Sequence, residues 1–164
     1  MHSVEVRPAV SAEASAISRL LATAIRDSYT GLLGSTDVER LVSRHCPLTR
    51  INAEIGIRGG APGWLGWLVA VDADGTVVGT AAGGVPLAGH GELYALCTLP
   101  SRRHEGIGST LLAAATDRMR AHEAERQSIS LPTTKDPALP FYERHGFTGD
   151  GTRLARTLRP PRTP

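Results

Sequence analysis

Apolar and polar residues alternate along VEVRPAV (Val4–Val10), the two-residue period of a half-buried strand. The spacing then changes. Ala14, Ile17, Leu20, Leu21 and Ala24 recur at helical intervals and predict a helix over 12–25, with Ser11 as its cap. STDVERLVSRH (Ser35–His45) predicts a second, weaker helix, again opened by Ser or Thr. From Pro47 to Gly63 the pattern fades, and RGGAPG (Arg58–Gly63) has the chemistry of a loop.

The middle of the chain is rich in strand signals. WLGWLVAVDADGTVVGTAAGG holds two strands around Asp74-Gly75, a strong hairpin signal, and GELYALCTL (Gly91–Leu99) is a third, stopped by Pro100. After a glycine-bearing turn, Ile107, Leu111, Leu112, Ala115 and Met119 fall on one stripe, with Asp117, Arg118 and Arg120 off it. That helix begins near Gly106–Ser109. SISLPTT (Ser128–Thr134) reads as a strand, and PALPFYERH as a short helix with Pro137 near its first turn and Gly146 at its end. GFTGDGTRLARTL predicts a closing hairpin. Strands first, then helices interleaved with strands, indicate α/β or α+β with a mixed sheet. Within it, Glu92 to Thr134 forms a parallel, right-handed crossover.

Composition narrows the class. The 164 residues fit one domain, taken as 1–159 with a frayed tail at 160–164. A hydrophobic content of 41% with 21% charged residues is that of a folded globular protein, and a net charge of +2 gives no support for nucleic-acid binding. No apolar stretch is long enough to cross a bilayer and no signal peptide is present, so a cytoplasmic protein without a membrane partner is expected. Cys46 and Cys97 lack metal-ligand spacing, which points to reduced thiols and no bound metal.

The candidate chemistry lies in LPSRRHEGIGSTLL. A helix starting at Gly106–Ser109 directly after a strand leaves amides without intrahelical partners, and the helix dipole adds positive character there. Gly106 and Gly108 let a ligand approach the backbone, and Arg102 or Arg103 supplies a mobile charge, so the turn is an anion site suited to a phosphate or pyrophosphate. No Lys-Ser or Lys-Thr pair follows, as a nucleotide-triphosphate loop requires, and the dinucleotide fingerprint of three glycines is absent. For the glycines alone, a tight turn with close packing is the favoured reading.

ELYALCTLPSRRHEGIGSTLL resembles the cofactor-binding core of the GCN5-related N-acetyltransferases (GNAT), whose signature Arg/Gln-x-x-Gly-x-Gly/Ala is met by Arg103-His104-Glu105-Gly106-Ile107-Gly108. DPALPFYERHGF resembles the family's second motif, at the usual order and separation. The resemblance implies a twisted, mostly antiparallel sheet of six to seven strands flanked by about four helices and splayed in the middle. It departs from the family at His104, often Gly, at Glu105, an acid beside a diphosphate, and at Lys135, where Asn is common.

By this resemblance the chain is an N-acetyltransferase using acetyl-CoA. The pyrophosphate would lie on Arg103, His104, Glu105, Gly106, Ile107, Gly108 and Ser109, and pantetheine beside Leu96, Cys97 and Thr98 as an added strand. Lys135 and Phe141 complete the expected cofactor contacts. An acceptor ammonium, with a pKa of about 10.4 for a lysine-like amine, must lose a proton before attack. Glu92 is the candidate base, or else an exposed strand-end glutamate. Tyr142 is the candidate acid for the departing thiol, or else a core aromatic beside Phe141. Cys97 is read as packing, not as an acyl carrier. Trp64 and Trp67 line a pocket or pack a strand on a helix, and Tyr29 stands where such folds build the acceptor pocket. The acceptor is a small-molecule or peptide amine, a homodimer is left open, and the alternative function is a non-catalytic acyl-CoA-binding domain.

Overall fold

The computed structural model describes residues 3–56 and 62–158. The expected tail at 160–164 and most of the Arg58–Gly63 loop lie outside the described residues. The chain opens with β1 (Glu5–Pro8), and a 3₁₀ turn at Ser11–Glu13 leads into α1 (Ala14–Tyr29). Ser11 does not cap this helix. Instead the Glu13 carboxylate closes the preceding 3₁₀ turn, accepting the Val10 amide at 2.9 Å while both oxygens receive Arg7 at 2.8 Å. α1 also runs beyond the predicted end, to Tyr29. α2 (Ser35–His45) lies where the pattern placed it.

A helix that the pattern did not predict follows, α3 (Leu48–Gly56). It is short, with Leu48, Ile51 and Ile55 at helical spacing, and Ile51, with no exposed surface, anchors it in the core. Then come β2 (Trp64–Val71), β3 (Val77–Leu87) and β4 (His90–Thr98), with the first turn built on Asp72, whose carboxylate accepts the amides of Asp74 and Thr76. α4 (Ile107–Ala121) leads to β5 (Arg126–Ser130), α5 (Leu139–Arg144) and β6 (Arg153–Thr157). Pro140, not Pro137, occupies the first turn of α5. The closing hairpin is reduced to one bridge, Thr148 with Ala155, because β6 pairs with β5 along its length.

The six strands form one sheet in chain order, antiparallel throughout except for β4 with β5. Side-chain alternation divides the core in two. On one face Val78, Ala81 and Leu93 meet Ile107, Leu111, Leu112 and Met119 of α4, the stripe read from the sequence. On the other, Trp67, Val69 and Ala82 meet Ile17 and Leu21 of α1 and Ile51 of α3. Gly79 seats the start of α4 closely on β3: a Cβ there would stand 2.7 Å from Leu111 Cδ1 and 2.9 Å from Ile107 Cγ2. The sheet thereby fixes where the amides at the head of α4 point.

Candidate active site

β4 and β5 pair from His90–Arg126 to Leu93–Ile129 and no further. β5 stops at Ser130, whereas β4 continues from Tyr94 to Thr98, paired only with β3 on its other edge. The sheet is splayed at this point. A bulge sits at its start, since Ala82 opposes Ala95 and Gly83 opposes Leu93, leaving Tyr94 as the extra residue. Tyr94 and Ala95 therefore share a face: Tyr94 packs near Trp64, Ala95 belongs to the α1-side core, and Leu96 returns to the α4 side. The gap opens into a cleft of about 1240 Å³ whose lining includes Leu96, Cys97, Thr98, Phe141 and Tyr142.

At one end of the cleft lies the glycine turn. His104 has φ +66° and Gly106 φ +82°, both left-handed, and α4 starts immediately after. His is among the residues that tolerate this region, so His104 fills with a side chain a bend that glycine makes without strain. The first bond of α4 runs from the Thr110 amide to the Gly106 carbonyl at 3.1 Å, so Ile107, Gly108 and Ser109 have no intrahelical acceptor for their amides. Arg103, His104, Gly106, Ile107, Gly108 and Ser109 all line the cleft.

The two arginines differ from the mobile charges expected of them. Arg102 is held by Asp72 at 3.0 Å and by Glu105 at 2.9 Å. That pairing turns the Glu105 carboxylate onto its own loop, which is how an acidic residue is accommodated beside an anion site; Glu105 is not among the residues lining the cleft. Arg103 donates to Asp27 at 2.6 Å and to Ser28 at 3.2 Å, tying the turn to α1. Lys135 is exposed and also stands outside the cleft lining.

Tyr142 is 3% exposed, wedged between the rings of Phe141 and Phe147, and reaches the cleft. No described residue accepts a hydrogen bond from its hydroxyl. Burial first, then the neighbouring Cys97 and Asp136, push its pKa well above the usual phenol value. Burial likewise raises the Cys97 thiol to about 12, so it stays protonated and unreactive near neutrality. Glu92 stands elsewhere. Its carboxylate receives both Arg153 Nη groups at 2.9 and 2.8 Å, and it does not line the cleft.

Three further groups in the cleft take no role from the sequence. Asp136, 4% exposed, accepts the Ala138 amide at 2.8 Å and the hydroxyl of Tyr29 at the end of α1. The two-residue cap was legible in Asp-Pro-Ala; its partner lies 107 positions earlier, beyond any local signal. Glu54 of α3 accepts Trp67 Nε1 at 3.1 Å through its carboxylate and Trp64 Nε1 at 3.2 Å through its carbonyl, so both indoles serve packing and lining together. His45 sits nearby, its pKa lowered by burial and then by Arg50 and Arg44.

This geometry offers an anion cradle, an unpaired strand edge and a phenol in one cleft. A profile of the Acetyltransferase (GNAT) family matches residues 37–147, which takes in all three. The chain belongs to that family. Among curated proteins it is 35% identical over 71 residues to a mycothiol acetyltransferase of Acidimicrobium ferrooxidans, covering 43% of this chain and 23% of that protein. It spans about a quarter of the length of the curated relatives it matches. Among solved structures, the PaiA N-acetyltransferase of Thermoplasma acidophilum in complex with coenzyme A superposes with a TM-score of 0.82 at 20% identity, over 94% of this chain and 99% of that one. A GNAT acetyltransferase of Brucella melitensis in complex with acetyl-CoA gives 0.64 at 21% identity, over 98% and 91%. The GNAT fold is thus common to all three. No described helix is long and apolar enough to cross a membrane.

Proposed function

We propose that the protein transfers the acetyl group of acetyl-CoA to a primary amine of a small molecule or peptide, by direct attack in a ternary complex. The observation that carries this reading is the free edge of β4 from Tyr94 to Thr98, which leads directly to the partnerless amides at the head of α4. Family membership and the CoA-bound structures of similar fold support it. The donor set fits the cofactor: amides at a helix N-terminus suit a pyrophosphate, and an open strand edge suits the amide groups of pantetheine.

When bound, acetyl-CoA supplies an acetyl group activated as a thioester. Ile107, Gly108 and Ser109 hold the diphosphate through their amides, and the β4 edge aligns the pantetheine arm. Amides of the same edge are positioned to stabilise negative charge developing on the acyl oxygen. Tyr142, protonated and without a competing acceptor among the described residues, supplies the proton that the departing sulfur needs. Lys135, exposed and outside the cleft lining, is left for a longer-range charge on the cofactor. Glu92 must leave Arg153 before it can serve as base, so it is less well placed than a carboxylate inside the cleft. Both described cysteines are free thiols, in keeping with a reducing, cytoplasmic setting.

Two measurements test the reading. Acetyl-CoA at about 100 times its Kd should stabilise the fold by about 2.7 kcal/mol, seen as a raised Tm. Release of free thiol across a panel of primary amines should then identify an acceptor. No thermal shift at saturating acetyl-CoA would remove the cofactor from the account; a shift without turnover on any amine would favour the non-catalytic binding domain.

A further inference from the structure

We propose that Tyr29 and Asp136 form the proton-uptake site for the acceptor: the phenolic oxygen of Tyr29 receives the ammonium, and Asp136 takes its proton. This rests on the acetyl-transfer reading. Two carboxylates line the cleft. Glu54 is paired with Arg50 at 3.0 Å. Asp136, although only 4% exposed, has no Lys, Arg or His within ion-pair distance among the described residues. Its donors are neutral, the Tyr29 hydroxyl on Oδ2 and the Ala138 amide on Oδ1. Buried carboxylates are ordinarily paired with a cation, and the cleft leaves the place of that cation to a ligand.

The surroundings fix the direction of transfer. Tyr29 arrives from α1, Cys97 from β4 and Tyr142 from α5, and all three interact electrostatically with Asp136, while Arg103 acts electrostatically on Cys97. Tyr29 spends its hydrogen on Asp136, so its oxygen lone pairs remain to accept an N–H from the acceptor. The Tyr29 oxygen takes one ammonium proton as its own hydrogen passes to Asp136 Oδ2. The freed nitrogen lone pair forms the C–N bond to the acetyl carbon. The C–S bond breaks with its electron pair on sulfur, and Tyr142 gives that sulfur its proton. The surplus proton on the new amide nitrogen restores Tyr142, and Asp136 returns its proton to solvent. One proton is released per acetyl group transferred.

The test compares wild type, Asp136→Asn and Tyr29→Phe by thiol release between pH 6 and 10, using a lysine-like primary amine that the wild type acetylates. Asn keeps the acceptor for the Ala138 amide, and Tyr29→Phe leaves the Asp136 carboxylate in place, so one variant serves if the other fails to fold. The thermal shift with acetyl-CoA, retained in each, reports an intact fold and donor site. At pH 7, kcat/KM of Asp136→Asn should fall about 100-fold. Above pH 8 the deficit should shrink about tenfold per pH unit, because solution then supplies the free form of an amine whose pKa is about 10.4. Tyr29→Phe should show a smaller deficit of the same pH form. A deficit equal at every pH, or none, would overturn the inference alone. Absence of wild-type turnover on every amine would overturn the transfer reading and this inference with it.

Discussion

Tyr142→Phe separates the two readings of that residue, because the structure predicts different sizes for its effects on stability and on rate. The ring is held by Phe141 and Phe147 at centroid distances of 5.2 and 5.4 Å, contacts that phenylalanine keeps. The hydroxyl has no hydrogen-bond partner among the described residues, so its removal strands no buried donor or acceptor. Stability should therefore change by less than about 1 kcal/mol, or roughly 4 °C in Tm for a chain of this size. Loss of a general acid costs about 100-fold in kcat, equivalent to about 2.7 kcal/mol of barrier. Burial holds the phenol protonated well above neutrality, so wild-type kcat should show no alkaline decline from this group below about pH 10. Thermal melts and thiol release on the same preparations supply both numbers. An unchanged kcat with normal acetyl-CoA binding would refute the acid role, and a stability loss of about 3 kcal/mol or more would return Tyr142 to the core.

Cys97 offers a test by alkaline titration. Its folded pKa of about 12, raised by burial, lies above the unfolded value, so the unfolded chain ionises first and gains as pH rises. Stability from Cys97 is complete below about pH 8.5 and declines toward pH 12 with a slope approaching 1.4 kcal/mol per pH unit. Cys97→Ala should flatten Tm against pH between about 8.5 and 10, before Tyr29 and Tyr142 contribute; an unaltered slope would contradict the burial assigned to the thiol. At the turn, Gly106→Ala should cost about 1–2 kcal/mol, all of it from φ +82°, since a Cβ there meets nothing within 4 Å, and should raise KM for acetyl-CoA several-fold. Gly108→Ala, whose Cβ would rest 3.5 Å from the Phe141 ring in ordinary contact, should leave Tm unchanged; equal losses in both variants would refute the strain argument.

Most of the periodic elements were legible in the sequence. The α4 stripe, the hairpin at Asp74-Gly75 and α2 are local patterns, each satisfied by neighbours three or four residues away or directly across a turn. α3 escaped although Leu48, Ile51 and Ile55 are helically spaced, because Pro47 ahead of it and Gly56 at its end confine that period to nine residues. Motif spacing located the turn and Tyr142, because the order of strand, turn and helix is itself written in the sequence. It placed Glu92 by position along β4 without the information that Arg153, 61 residues later, would engage it. Position along the chain puts Tyr29 at the acceptor pocket and Asp136 opens the second motif, but their contact escaped for the same reason: only the packing of α1 against the β5–α5 loop joins them.

The end of β5 shows how a local misreading and the site are connected. SISLPTT has the composition of a strand to Thr134, yet pairing with β4 ends at Ile129 and the strand itself at Ser130. Leu131 turns its amide to the Thr152 carbonyl at 2.7 Å, and Pro132 has no amide to donate. Neither can extend the parallel ladder. β4 nevertheless runs on to Thr98, because β3 satisfies its other edge as far as Gly79. Leu131 and Pro132, strand-like by composition and unpaired with β4 in the fold, therefore line the cleft. Had they completed the ladder, the amides and carbonyls of Tyr94 to Thr98 would be spent within the sheet. The cradle at α4 would then remain an anion site with no strand edge leading a thioester to Tyr142.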